Sequence, residues 1–272
     1  MDLLEVGTLW ERAKPILAAT PEVDTTRADP GRLSGKLALD HVMFRYQEHG
    51  PVILDNVSIH AESGEFIALV GPSGSGKSTL FRLLLGFDTP EAGAVYYDDQ
   101  ELSRLDVAAV RRQLGTVLQQ SRVMAATIFD NIAGGGLITL ETAWEAARAA
   151  GLAEDIAAMP MGLHTLVSEG GSTISGGQRQ RLLIARALAR QPALVLFDEA
   201  TSALDNHTQA IVTANLARLH VTRVVIAHRL STIRHADRIY VLEHGRMVQQ
   251  GRFAELAQQD GLFARLIGRQ GV

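Results

Sequence analysis

Apolar and polar positions alternate in short stretches between residues 37 and 59. LALDHVMFRY, the turn QEHGP and then VILDNVSI have the pattern of two antiparallel strands. EFIALV, residues 65–70, is instead an unbroken apolar run that feeds a glycine-rich loop. Residues 78–85 read as a helix closed by Gly86. From about 102 to 188 the composition is mostly helix-forming, punctuated by Gly134, Gly135 and Gly136 and by Gly170 and Gly171. Buried-strand runs then return: ALVLF at 193–197, RVVIA at 223–227 and RIYVL at 238–242, with a helix over 206–219 between the first two. RMVQQ after Gly245 is a polar strand, and 253–267 reads as one amphipathic helix. Continuous apolar runs alternating with helices predict an α/β fold with a mostly parallel sheet. An antiparallel β subdomain precedes it, and an α-helical subdomain is inserted at about 120–188.

The first 35 residues differ. Residues 3–17 carry Leu3, Leu4, Val6, Leu9, Trp10, Ile16 and Leu17, with Pro15 interrupting them, which predicts a short helical piece that then breaks. TPEVDTTRADPGRLSG, residues 20–35, has linker composition. The division expected is a connector over 1–35 and one folded domain over 36–272.

Charge and composition exclude several classes. Lys and Arg number 26 against 30 acidic residues, a formal charge of −4 that provides no basic field for nucleic acid. The absence of cysteine excludes disulfide scaffolds, thiolate zinc sites and cysteine nucleophiles. The eight histidines other than His228 show no ligand spacing for a transition metal. No apolar run reaches the roughly 18 residues that a membrane span requires, so a soluble globular chain is expected. Only Lys14, Lys36 and Lys77 are lysines; the other 23 basic residues are arginines.

One of those lysines sits in GPSGSGKS: Gly71, Pro72, Ser73, Gly74, Ser75, Gly76, Lys77 and Ser78. This is G-x-x-x-x-G-K-[ST], with a buried strand before it and a helix after it. Glycines let successive backbone N–H groups converge on a phosphate, and the helix N-terminus adds partial positive charge. A compact ammonium fits inside such a cradle where a planar guanidinium fork would not. Lys77 is thus placed for the β and γ oxygens and the Ser78 hydroxyl for Mg²⁺, with Thr79 beside it. A plain glycine-serine turn would match the four fixed positions by chance in roughly three chains of this composition in a thousand.

Two further patterns fit that loop. Asp198 and Glu199 end the run at 193–197, at the strand edge where open α/β sheets bind ligands. Asp198 is suited to the Mg²⁺ shell and Glu199 to polarising an attacking water. Ser175, Gly176, Gly177 and Gln178 open a helix with Ser175 as N-cap, a second anion site that either serves a different ligand or meets the first across a dimer. On that helix Arg186 and Arg190, four apart, are expected on a solvated face.

In this order the motifs resemble the ATP-binding cassette family, specifically the nucleotide-binding domain of exporters, from about residue 36 to 270. GPSGSGKS is similar to the Walker A loop, LVLFDE to Walker B, and ISGGQ at 174–178 to the family signature, with Ile174 where leucine is usual. Gln119 matches the Q-loop glutamine, followed by Gln120 where an acid is common, and Met124 stands where an aromatic is frequent. Asp205 in SALD matches the D-loop, His228 the switch histidine, and Tyr46 the aromatic that stacks on adenine. The resemblance implies ATP and Mg²⁺, with Ser78, Gln119 and Asp198 near the metal and Glu199, His228 and Lys77 catalytic. It implies head-to-tail pairing with a second cassette, so that Ser175, Gly176, Gly177 and Gln178 bind the partner's ATP and Asp205 communicates across the dimer.

It also implies a transmembrane domain docked on the helical insertion, at the cytoplasmic face of the membrane, and no nucleic-acid partner. LWERAKPILAATPEVD resembles the connector after the last membrane helix of such transporters, which implies that the chain is a piece of a longer protein. DEATSALDNHTQAIV and FARLIGRQ look most like bacteriocin and peptide exporters. A cassette acting on nucleic acid or ribosomes is the alternative, although such proteins usually carry a long coiled-coil insertion or two cassettes. A catalytically dead regulatory cassette is disfavoured by Glu199 and His228.

Overall fold

The computed structural model describes residues 3–18, 27–168, 173–200, 204–227 and 229–268. Its strands, in chain order, are β1 (Leu37–Phe44), β2 (Leu54–Ala61), β3 (Phe66–Val70), β4 (Ala92–Tyr97), β5 (Gln100–Glu101), β6 (Leu114–Val117), β7 (Ala126–Thr127), β8 (Leu166–Val167), β9 (Leu194–Asp198), β10 (Thr222–Ile226), β11 (Arg238–Glu243) and β12 (Arg246–Gly251). One sheet is antiparallel, in the order β2-β1-β4-β5; the larger has the order β12-β11-β3-β10-β9-β6. In the larger sheet β11, β3, β10, β9 and β6 run parallel, and only the edge strand β12 turns back. The short pair β7–β8 belongs to the helical insertion.

Burial on both faces explains the continuous apolar runs. Every residue of β3 and of β9 is buried. Alternate side chains of β3 point to opposite faces: Ile67 and Leu69 pack with the antiparallel sheet and helix Lys77–Leu84, and Phe66, Ala68 and Val70 with the C-terminal helices. Val195 and Phe197 of β9 face the helical insertion and helix Gly176–Leu188. Each fully buried Leu, Ile or Phe contributes about 1.5–3 kcal/mol, so these three clusters hold the strands in one order.

The parallel order places the C-terminal ends of β3, β10, β9 and β6 along one edge. After β3 comes the loop at Gly71, after β9 Glu199, after β6 Gln119, and after β10 the segment leading to residue 228.

Several local expectations change. The first helix runs from Leu3 to Leu17 with Pro15 inside it, without the hydrogen bond to the Glu11 carbonyl that a proline nitrogen cannot donate. Residues 27–35 pack onto the domain: Leu33 is buried, its N–H donates to the Gln113 Oε1 (2.9 Å), and Ala28 bridges to Leu105. The tail is two helices, Phe253–Gln258 and Leu262–Gly268. The second starts where the Gln249 Oε1 accepts the Phe263 N–H (2.9 Å), which ties it to β12. Arg186 is not on a solvated face. Its Nε donates to the Asn131 carbonyl (2.7 Å), its Nη1 to the Arg122 carbonyl (2.9 Å) and its Nη2 to the Asn131 Oδ1, drawing the stem inward, whereas Arg190 is exposed.

Candidate nucleotide site

Helix Lys77–Leu84 begins without a side-chain cap; its N-cap is Gly76, in the left-handed region at φ 101°. Helices at Val107, Ile128, Leu140, Gly176 and Asn206 are each capped by Asp106, Thr127, Thr139, Ser175 or Asp205. The bare N–H groups at Lys77 lack the acceptor that those five have, which leaves them suited to an anion. The loop is shaped by contact as well as by φ. A Cβ on Gly71 would lie 2.2 Å from the Leu242 carbonyl oxygen, and one on Gly76 2.7 Å from Leu54 Cδ2.

Lys77 folds back over this loop. Its Nζ donates to the Gly71 carbonyl (2.8 Å), the Pro72 carbonyl (2.8 Å) and the Ser75 Oγ (3.3 Å). Burial pushes the ammonium below its ordinary 10.5, against the opposing pull of the Asp198 and Glu199 charges. The cation is thus largely desolvated and held by neutral oxygens, a state that a triphosphate improves.

Around it lies a cavity of about 330 Å³ lined by Ile53, Ser73, Gly74, Gly76, Lys77, Ser78, Thr79, Gln119, Asp198, Glu199 and Ile226. The Ser78 hydroxyl donates to Asp198 Oδ2 (3.3 Å), so a hydroxyl and a buried carboxylate already face one point. Oxygen ligands of this kind suit Mg²⁺, which is usually held by one or two carboxylates together with substrate phosphates. Glu199 follows Asp198 at φ 55°, a left-handed turn that ends the strand alternation, and its carbonyl accepts from Gln180 Nε2 (3.0 Å). Tyr46 stands outside the cavity lining and 54% exposed, with its hydroxyl 3.0 Å from Thr79 Oγ1, its ring edge-on to Phe44, and the Arg82 guanidinium 5.9 Å from its centroid.

The other candidate residues are elsewhere. Ser175, Gly176, Gly177 and Gln178 form the start of helix Gly176–Leu188 and do not line the cavity. Asp205 caps helix Asn206–Arg218, and hydrogen bonds from the Thr208 hydroxyl and amide hold its carboxyl down at about 2. His228 lies outside the described residues. Its neighbour Arg229 donates to the Leu204 carbonyl (2.7 Å) and to the Oε1 of buried Gln209 (3.1 Å), while Gln209 Nε2 reaches Ser231 and Thr232. Sequence reasoning missed this cross-link, whose one signal is a glutamine on the apolar side of a helix. It also missed the apolar cavity wall formed by Ile53 and Ile226.

A larger cleft, about 680 Å³, opens at the opposite end of the same strands, against Gln113, Ala193 and Val221. It holds neither the glycine loop nor the acid pair, and size alone does not select the site.

Residues 54–202, more than half of the chain, match the ABC transporter family, and this span contains the glycine loop, Gln119, the signature turn and the acid pair. The chain belongs to the ABC transporter family. As an ABC protein it is 41% identical over 97% of its length to the alpha-hemolysin translocation ATP-binding protein HlyB of Escherichia coli O157:H7. It is 41% identical, again over 97%, to the leukotoxin translocation ATP-binding protein LktB of Mannheimia glucosida. The alignments take up 38% of either relative, so the chain spans about two fifths of their length. Among solved structures, a bacterial Atm1-family ABC exporter with ATP bound superposes with a TM-score of 0.90 at 36% identity, over 99% of this chain and 47% of that one. The family makes this a nucleotide-binding domain for ATP, on the α/β fold that the apolar pattern predicts. No helix among the described residues is long and apolar enough to cross a membrane.

Proposed function

We propose that this chain binds ATP with Mg²⁺, hydrolyses it, and thereby drives export of a polypeptide through a transmembrane domain, working at the cytoplasmic face of the membrane. The observation that carries the reading is the single cavity that gathers an uncapped helix N-terminus, Lys77, Ser78, Gln119, Asp198 and Glu199. The matched relatives are named for toxin translocation, which favours export over action on nucleic acid or ribosomes and a polypeptide as cargo.

In this reading the amides of residues 71–76 and the Lys77 ammonium hold the β- and γ-phosphates, Tyr46 stacks on the base, and Ser78, Asp198 and Gln119 hold Mg²⁺. When bound, Mg²⁺ neutralises charge on the phosphate oxygens. Glu199 takes the proton of the attacking water, and His228 contacts the γ-phosphate. Two chains pair head to tail: Ser175, Gly176, Gly177 and Gln178 of one donate to the γ-phosphate held by the other, and Asp205 joins the two sites. The transmembrane domain docks on the helical insertion.

Replacing the general base separates binding from chemistry. Glu199→Gln keeps ATP affinity while turnover falls by about 10²–10⁴-fold. Calorimetry and a phosphate-release assay measure both; equal turnover in Glu199→Gln and the unaltered chain would remove Glu199 from that role.

A further inference from the structure

We infer that Asp155, a residue of the helical insertion, is the positioning residue that sets the signature turn for the partner's γ-phosphate. The inference rests on the head-to-tail pairing proposed above.

The turn has its own reciprocal lock. The Ser175 Oγ accepts the Gln178 N–H (3.1 Å), and the Gln178 Oε1 accepts the Ser175 N–H (2.9 Å). A glutamine amide is free to present either end, and only the oxygen end closes this box. Asp155 decides which end that is: its Oδ1 accepts from Gln178 Nε2 (2.8 Å), fixing the nitrogen away from Ser175. Its Oδ2 accepts from Arg181 Nη1 (2.7 Å), which also donates to the Gly151 carbonyl, while the Arg181 Nε reaches the Gly177 carbonyl (3.4 Å). Both carboxylate oxygens are thus committed to donors three residues apart on one face of helix Gly176–Leu188. They come from a different element, helix Ala153–Ala157. The Arg181 side chain is 13% exposed and that of Asp155 27%, so solvent screens the pair only partly.

This arrangement leaves the right groups unspent. The Ser175 hydroxyl is an acceptor within the box, so its hydrogen remains available to donate. The N–H groups of Gly176 and Gly177, the first two of the helix, have no partner in the helical ladder. Arg181 and Asp155 cancel each other's charge, so the attraction for an anion comes from these three donors and the helix end. Neither Asp155 nor Arg181 lines the cavity around Lys77. Asp155 therefore acts on closure of the pair and not on loading of one chain.

The split between loading and closure supplies the test. In the Glu199→Gln background, ATP affinity is measured by calorimetry on dilute chain, and ATP-driven association by sedimentation. Adding Asp155→Ala leaves the ATP dissociation constant within about twofold and weakens association about tenfold or more, the loss of charge-assisted hydrogen bonds. Asp155→Asn keeps one acceptor oxygen and recovers part of the association. Unchanged association with Asp155→Ala overturns the inference. A fall in ATP affinity in both variants also overturns it, since that reports a structural role. If Glu199→Gln alone fails to associate with ATP, the pairing itself is wrong and this inference falls with it.

Discussion

Lys77 concentrates the energetics of the site in one side chain. The residue is 6% exposed and its ammonium donates to uncharged oxygens, so its proton is held less tightly than in water. Phosphate oxygens reverse this, and ATP binding above the lowered pKa takes up a proton. Affinity is accordingly flat at neutral pH and falls as pH climbs through the lowered Lys77 pKa toward 10.5. The free chain shows the opposite trend: its unfolded state binds more protons over that window, so the Lys77 contribution to stability rises with pH there. Isothermal calorimetry across an alkaline pH series measures the affinity; a flat profile up to 10.5 contradicts the buried, nucleotide-bound ammonium. The glycine loop and the acid pair, which line the cavity, were legible in the sequence because each is a contiguous motif. The left-handed turn at Glu199 was not, since nothing in a glutamate announces φ 55°. Nor was Asp155, whose meaning comes from Gln178 and Arg181, more than twenty residues away.

At the scale of elements, helix Gly176–Leu188 is tied to the helical insertion at both of its ends. Its first turn is locked to helix Ala153–Ala157 through Asp155, and its last turn to the segment around residues 122–131 through Arg186. Burial pushes the Arg186 guanidinium below its ordinary value, and its three hydrogen bonds offset that cost. Arg186→Met removes the donors while leaving the Asn131 oxygen and carbonyl behind, and lowers stability by about 2–4 kcal/mol. The urea midpoint at constant slope reports this, and a shift worth less than about 0.5 kcal/mol would show that water replaces the guanidinium without loss. The four-residue spacing of Arg186 and Arg190 suggested a solvated face because spacing gives no sign of a long polar chain reaching across to the carbonyls of a neighbouring segment. β6 was hidden for a related reason: LGTV is four residues inside a helix-forming block, and only its pairing with β9 makes it a strand.

For the whole molecule, the strand order turns distant motifs into one site. β3, β10, β9 and β6 deliver the glycine loop, the segment before residue 228, the acid pair and Gln119 to a common edge, and the unbroken apolar runs made that parallel sheet readable in advance. Yet the signature turn stays outside the cavity it is expected to complete. The proposed head-to-tail pairing brings these two parts together between chains, and mixing two disabled chains tests it most directly. Lys77→Ala removes the cradle and keeps the signature turn. Gly176→Asp keeps the cradle and sets a carboxylate where the phosphate should lie, at a position where an added Cβ meets nothing within 4 Å. Each variant alone is inactive. Combined in equal amounts, they regain phosphate release up to about a quarter of the unaltered rate, since half of the random pairs hold one complete site of two. A mixture as inactive as its components, or full activity in Gly176→Asp alone, would contradict the shared site.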